Sequence, residues 1–254
     1  MYVPAGEFQM GGESGGDDDE MPKRQVYLDA FWMDRTEVTN AMFARFVTAK
    51  SYTTDAEKEG AGLVYSGSDW REVSGADWRH PAGPTTNINA LDDYPVVQVS
   101  WNDAQAYCQW AGATLPTEAQ WEKAARGTDG RVYPWGNQAA TCEYAVIDDG
   151  SGNGCGKGNA PWAVGIKSKG AGPYGTLDMA GNVWEWVADW YDSKYYASSP
   201  ASNPTGPSSG QYRVMRGGAW DNSGPEVRVT HRLSSDPEFR SGYLGFRCVG
   251  GLGK

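Results

Sequence analysis

Histidine is nearly missing from this sequence, which holds only His80 and His231 among 254 residues. The four cysteines, Cys108, Cys142, Cys155 and Cys248, contain no Cys-x-x-Cys pair, so a zinc site of the usual Cys/His spacing cannot be assembled. Positive charge is also scarce. The 22 Lys and Arg residues are scattered against 32 Asp and Glu, a net charge of -10, so a phosphate backbone would meet repulsion rather than release counterions. That composition excludes nucleic acid as a partner. No apolar run approaches the roughly 20 residues needed to cross a bilayer. The opening residues Met1 to Phe8 read as strand and turn rather than as a signal peptide, and an export signal trimmed ahead of Met1 is compatible with them. No internal repeat and no linker-like interval interrupts the chain, so one domain over residues 1–254 is expected.

What is abundant is glycine and aromatic surface: 34 Gly, 14 Pro, 12 Trp and 14 Tyr accompany a hydrophobic content of only 39%. Such a composition points to an irregular, loop-rich fold whose aromatic side chains supply much of the buried area.

Three segments carry helical patterns. Thr39 can cap a helix from 40 to about 49, with Phe43, Phe46 and Val47 on one face. Ser100 can cap a second, with Ala104, Tyr107, Cys108 and Ala111 facing inward. Thr117 and Gln120 stand in capping-box register ahead of Trp121, Ala124 and Ala125. Strands are expected over residues 25–32, 96–99, 213–216 and 245–249, each bounded by turn residues. Residues 51–93 and 137–172 show neither period, and loops of that length are usually functional or pinned by bridges and metal. Cys142 and Cys155 bracket a Gly-rich stretch that a disulfide would restrain, the alternative being two unpaired thiols. The acidic run from Asp17 to Glu20 reads as a solvated loop.

Eight motifs follow one another in order: Val3-Pro4-Ala5-Gly6-Glu7-Phe8-Gln9-Met10-Gly11, Asp34-Arg35-Thr36-Glu37-Val38-Thr39-Asn40, Pro95-Val96-Val97-Gln98-Val99-Ser100-Trp101, Leu115-Pro116-Thr117-Glu118-Ala119-Gln120-Trp121-Glu122, Tyr133-Pro134-Trp135-Gly136-Asn137, Met179-Ala180-Gly181-Asn182-Val183-Trp184-Glu185-Trp186, Arg216-Gly217-Gly218-Ala219-Trp220 and Gly245-Phe246-Arg247-Cys248. Each is weak alone. In series they resemble the formylglycine-generating-enzyme, or sulfatase-modifying factor, family. The resemblance implies an α+β fold, a C-type-lectin-like variant with little regular secondary structure.

Active members of that family oxidise a cysteine in a sulfatase peptide to formylglycine, using oxygen and a copper ion held by two cysteines. The matching loop here, residues 219–228, contains no cysteine. A soft Cu(I) ion needs a thiolate pair that no other side chain supplies, so the oxidase activity is expected to be absent. Cys108 and Cys248 do match a structural disulfide of the family. The bridges would place the protein in an oxidising, extracytoplasmic compartment: periplasmic, secreted or surface-bound.

The resemblance also implies calcium. Asp178 and Glu185 would offer carboxylates and Gly181 and Val183 backbone carbonyls, a hard oxygen set from one tight loop. A second family calcium site matches poorly at residues 144–149, where Asp148 and Asp149 read as loop carboxylates. A two-His-one-carboxylate iron site would need the fold to unite His80 and His231.

Around the old active-site groove stand Trp220, Asp221, Asn222, Ser234, Ser235, Asp236, Phe239, Ser241 and Tyr243. Polar groups interleaved with aromatics suit a peptide, glycan or protein ligand, so a calcium-stabilised binding module is expected. The alternative is an atypical metal-dependent oxidoreductase that keeps the groove. A variable binding protein of a diversity-generating retroelement is a lesser option, because Glu226 and Glu238 depart from its Asn-derived substitution pattern.

Overall fold

The helices begin where the sequence offers a side-chain acceptor to the first unpaired N–H groups. In the computed structural model, which describes residues 1–13, 16–67, 69–151, 154–156, 158 and 160–251, Thr39 accepts the Met42 N–H and starts α1 (Asn40–Lys50). Thr54 starts the short α2 (Asp55–Glu59), Ser100 starts α3 (Trp101–Trp110), and Thr117 with Gln120 closes a capping box on α4 (Glu118–Arg126). A single turn, α5 (Tyr195–Ser198), follows later.

The strands are equally short: β1 (Tyr2–Val3), β2 (Gly6–Met10), β3 (Arg24–Leu28), β4 (Phe31–Met33), β5 (Ala61–Tyr65), β6 (Trp70–Ser74), β7 (Trp184–Trp190), β8 (Arg213–Arg216), β9 (Arg232–Ser235), β10 (Leu244–Phe246) and β11 (Val249–Gly251). The largest sheet runs β10-β7-β8-β9, with β10 parallel and β8 antiparallel to β7. A second runs β1-β4-β11, and β2-β3 and β5-β6 stand as antiparallel pairs. Mixed helix and small sheet among long loops is the α+β, lectin-like architecture that the motifs implied.

Two apolar cores hold these elements. One joins α1 and α3 to β7 and β10, where Phe43 lies 5.3–6.3 Å from the rings of Phe46, Trp78, Tyr107 and Phe246. The other packs Ala119, Trp121, Ala124 and Ala125 of α4 against Phe8, Val26 and Val214. The opposite edge of α4 carries charge into the interior. Glu118 is paired bidentately with Arg232 at 2.7 and 2.9 Å, and Glu122 receives both Arg126 and Arg216. Buried charges are tolerated there because each has its counter-charge and its hydrogen bonds.

Both expected disulfides are present, Cys108–Cys248 across 140 residues and Cys142–Cys155 across 13. Gly152 and Asn153 of the loop between the latter pair lie outside the described residues.

Several expectations are corrected. The strand expected over 25–32 is broken at Asp29 and Ala30 into β3 and β4. No strand forms at 96–99, because Gln98 takes a positive φ of 58° and leaves only an isolated bridge from Pro95 to Thr39. The stretch 51–93, without a visible period, contains α2 and the β5-β6 pair. β7 also went unread, since burial on both faces removes the alternation by which a half-buried strand is recognised.

Candidate functional site

A cavity of about 330 Å³ opens where β5, β6, the loop 81–97 and the turns at Trp220 and Gly242 converge. Tyr65, Trp70, Ile88, Tyr94, Val97 and Trp220 are among its walls. Gln98 assembles them. Its Nε2 donates to the carbonyls of Leu63 and Pro81, each at 2.9 Å, while its backbone N–H donates to Ser241 O at 3.0 Å. One side chain thus joins the hairpin, the long loop and the 241–243 turn. Gly62 makes this possible, for a Cβ there would stand 2.3 Å from Gln98 Oε1.

The residues expected to form the groove divide. Trp220, only 2% exposed, lines the cavity and lies 5.5 Å from Tyr65 and 5.8 Å from Trp70, ring to ring. Tyr243 meets Trp70 edge-on at 4.6 Å, and Phe239 lies 6.3 Å from Tyr243 behind it. Asp221 is half-buried beside Trp70, and its Oδ1 has no hydrogen-bond partner. Burial and the nearby Glu226 and Asp148 raise its pKa to about 6, with the Trp70 indole N–H pulling the other way.

Four others do not line the cavity and are corrected here. Ser234 and Ser235 pair with Val214 and Arg213 on the outer strand of the large sheet. Asp236 Oδ1 caps a turn by accepting the Glu238 N–H at 2.9 Å. Asn222 is spent within its own loop, accepting the Ala219 N–H at 2.9 Å and donating to Glu226 at 3.3 Å. Ser241 is fully buried and contributes its backbone carbonyl to the Gln98 anchor. The cavity's missing half, Tyr65 and Trp70, comes from the hairpin that showed no period. Its one mark in the sequence is the run Ala61-Gly62-Leu63-Val64-Tyr65 ahead of Gly67.

A second constellation surrounds the loop 178–185. Asp178, Gly181 and Asn182 all have positive φ, of 57°, 78° and 65°, which folds the loop tightly. A Cβ on Gly181 would meet Val146 O at 2.3 Å. Asp178 Oδ2 accepts the Gly165 N–H at 2.6 Å. Glu185 is not the open carboxylate that the sequence suggested: Arg247 grips both its oxygens at 2.7 Å, and Trp121 Nε1 donates at 2.9 Å. In compensation the fold supplies Glu37, missed in the sequence. Its Oε1 accepts from Asn182 at 3.0 Å, while its buried Oε2 has no partner. Burial, reinforced by Asp178 and then Glu185, pushes the Glu37 carboxyl well above the usual range against the pull of Arg247. Burial likewise raises Asp178. Three carboxylates against one guanidinium leave two negative charges in excess if all ionise. An orphaned carboxylate oxygen in such a set fits a divalent cation bound by oxygen ligands.

The histidines are not brought together in a metal-binding group among the described residues. His80 Nδ1 lies 3.0 Å from Asp77. His231 Nδ1 lies 3.2 Å from Asp17 and 3.7 Å from Glu20, but Arg228 already neutralises Glu20 with two bonds of 2.7 and 2.8 Å.

The family model of the sulfatase-modifying factor enzyme 1-like domain matches residues 1–252. The chain belongs to this family. It is 42% identical over 277 residues to a formylglycine-generating enzyme of Streptomyces coelicolor, covering 98% of this chain and 88% of that protein. It is 38% identical over 292 residues to the inactive C-alpha-formylglycine-generating enzyme 2 of Bos taurus, covering 100% of this chain and 88% of that one. Among solved structures it is similar to PvdO from Pseudomonas aeruginosa, with a TM-score of 0.79, 25% identity, and coverage of 99% of this chain and 94% of that one. Within the sulfatase-modifying factor family this is a divergent member. Its loop 219–228 has no cysteine, and all four cysteines of the chain lie in disulfides.

Proposed function

We propose that this chain is a calcium-stabilised ligand-binding module of the sulfatase-modifying factor family, without cysteine-to-formylglycine oxidase activity. One observation carries the reading: the cavity beside the loop 219–228 keeps its aromatic walls, while every sulfur in the chain is committed to a disulfide. Copper held by thiolates therefore has no ligands here, and no thiol is free to form a mixed disulfide with a peptide. What persists is a concave, mostly apolar site sized for one side chain or one small ligand head, on a peptide, glycan or protein partner or on a free molecule.

The cation reading draws on Asp178 and Glu37 as carboxylates, the carbonyls of Gly181 and Val183, and the share of Glu185 Oε1 that Arg247 leaves. Bound there, calcium would neutralise the excess charge and fix the turn that leads into β7. Two disulfides in 254 residues support an oxidising, extracytoplasmic location.

Turnover of a Cys-x-Pro-x-Arg peptide with added copper, read by mass spectrometry beside an active family member, should yield no aldehyde; clear aldehyde formation overturns the reading. Elemental analysis separates it from the oxidoreductase alternative, since calcium alone supports a binding module and stoichiometric iron or copper an enzyme.

A further inference from the structure

Asp221 is a carboxylate without a counter-charge. No Lys or Arg forms an ion pair with it among the described residues, and the charged groups that act on it, Glu226 and Asp148, are both acidic. Its Oδ1 is buried without a hydrogen-bond partner. Elsewhere in this protein buried carboxylates are matched, Glu118 by Arg232, Glu122 by Arg216 and Glu185 by Arg247. An unpaired carboxylate beside a cavity is therefore a departure from the molecule's own practice.

The cavity next to it presents π-surface. Tyr65, Trp70 and Trp220 line it together, and Tyr243 backs Trp70. Their planes meet at 51° for Tyr65 and Trp70, 70° for Tyr65 and Trp220, and 40° for Trp70 and Trp220, so the ring faces turn about a corner instead of stacking flat. The remaining walls, such as Val64, Ile88, Leu91 and Val97, are apolar, and a hydrated ammonium or guanidinium would lose water there without replacement. An alkylated ammonium is weakly hydrated, attracted to ring faces, and able to use one carboxylate as its partner without donating several hydrogen bonds.

We propose that the cavity takes a ligand with an alkylated ammonium head, the rings of Tyr65, Trp70 and Trp220 receiving the methyl groups and Asp221 supplying the counter-charge. This rests on the reading of the cavity as a binding site and names the class of its ligand. Such a head occurs on free molecules of the choline type and on trimethylated lysine in a peptide.

The test is calorimetric titration of the full chain with choline, with a short trimethyllysine peptide, and with the neutral carbon isostere of choline, dimethylbutanol. At neutral pH at least one cationic probe should bind about tenfold more tightly than the isostere. Asp221→Asn, checked by its melting curve to be folded, should remove that preference and keep the weak apolar component. The facing groups other than Asp221 are Trp70, Tyr243, Glu226 and Asp148. With the carboxyl pKa at about 6, lowering the pH from 7 to 5 should weaken the cation roughly tenfold and leave the isostere unchanged. Tighter binding of the choline head than of the peptide assigns the ligand to a free molecule, and the reverse assigns it to a modified chain. Equal binding of cation and isostere overturns the ammonium assignment while sparing the cavity as an apolar binding site. No binding of any probe overturns the assignment and also removes the cavity's support as a site for small ligand heads.

Discussion

Arg247 holds Glu185 through two hydrogen bonds of 2.7 Å, with both side chains fully buried. The pair ties the residue before Cys248 to the second residue of β7, and Arg247 goes on to donate to the carbonyls of Leu177, Arg35 and Asp34. Removing one partner strands the other charge in the interior. Arg247→Met should therefore cost about 3–5 kcal/mol in urea unfolding. Glu185→Gln should cost comparably, and the double variant less than the sum. An additive pair of losses would mean that the two residues act separately.

The same cluster sets the calcium experiment. A cation that binds only the folded state stabilises it by mass action. Chelator should lower the melting temperature of the wild type and calcium should restore it. Asp178→Asn and Glu37→Gln should each blunt that response, while Arg247→Met, by removing the one competing positive charge, should enlarge the relative gain from calcium. An undiminished calcium shift in Asp178→Asn would put the ion elsewhere.

How much of this was legible in the sequence follows from the range of the interactions involved. Thr39, Ser100 and Thr117 announce their helices because capping is settled within four residues. The disulfides followed from the family motif at Cys108 and Cys248 and from the bracket at Cys142 and Cys155. Glu185 misled, because its partner Arg247 is 62 residues away and no local pattern reveals it. Glu37 went unnoticed for the same reason, being 145 residues from Asn182. The cavity was half visible: Trp220 lies in a motif, whereas Trp70 reaches it on a hairpin anchored by Gln98, whose three bonds span 17 to 143 residues.

The two disulfides should differ in weight. By loop-closure entropy, replacing Cys108 and Cys248 with Ser should remove roughly 4–5 kcal/mol, and replacing Cys142 and Cys155 about 3 kcal/mol or less. Chemical denaturation without reductant measures both, and peptide mapping under the same conditions should recover the two linked pairs. Free thiols at all four positions would undo the pairing and the inference about compartment.

Asp189 gives the fold a pH dependence of definite sign. It is fully buried, accepts the Glu118 N–H at 2.8 Å, and has its pKa raised from 3.8 to about 8, first by burial and then by the Glu118 charge. The folded state thus holds a proton that the unfolded chain has lost, and stability from this group declines from about pH 4 to pH 8, by up to about 1.4 kcal/mol per pH unit. Above pH 8 no further loss is expected from it. Asp189→Asn keeps an acceptor for Glu118 and carries no charge. Its melting temperature relative to wild type should climb across that window and then level off; a constant difference from pH 5 to 8 would show that Asp189 is ionised throughout.

Gln98 joins three stretches of chain that meet only when the fold is complete, and the cavity is their common product. No fragment of the sequence can prefigure it, since loop closure over such spans must precede any contact that rewards it. Recognition here is consequently an attribute of the finished molecule. A newly made chain passing through partly folded forms would be invisible to its ligand, and ligand occupancy could serve as an assay of maturation. Trp220 sharpens the point, for the same ring that walls the cavity is embedded in the α1–α3 core.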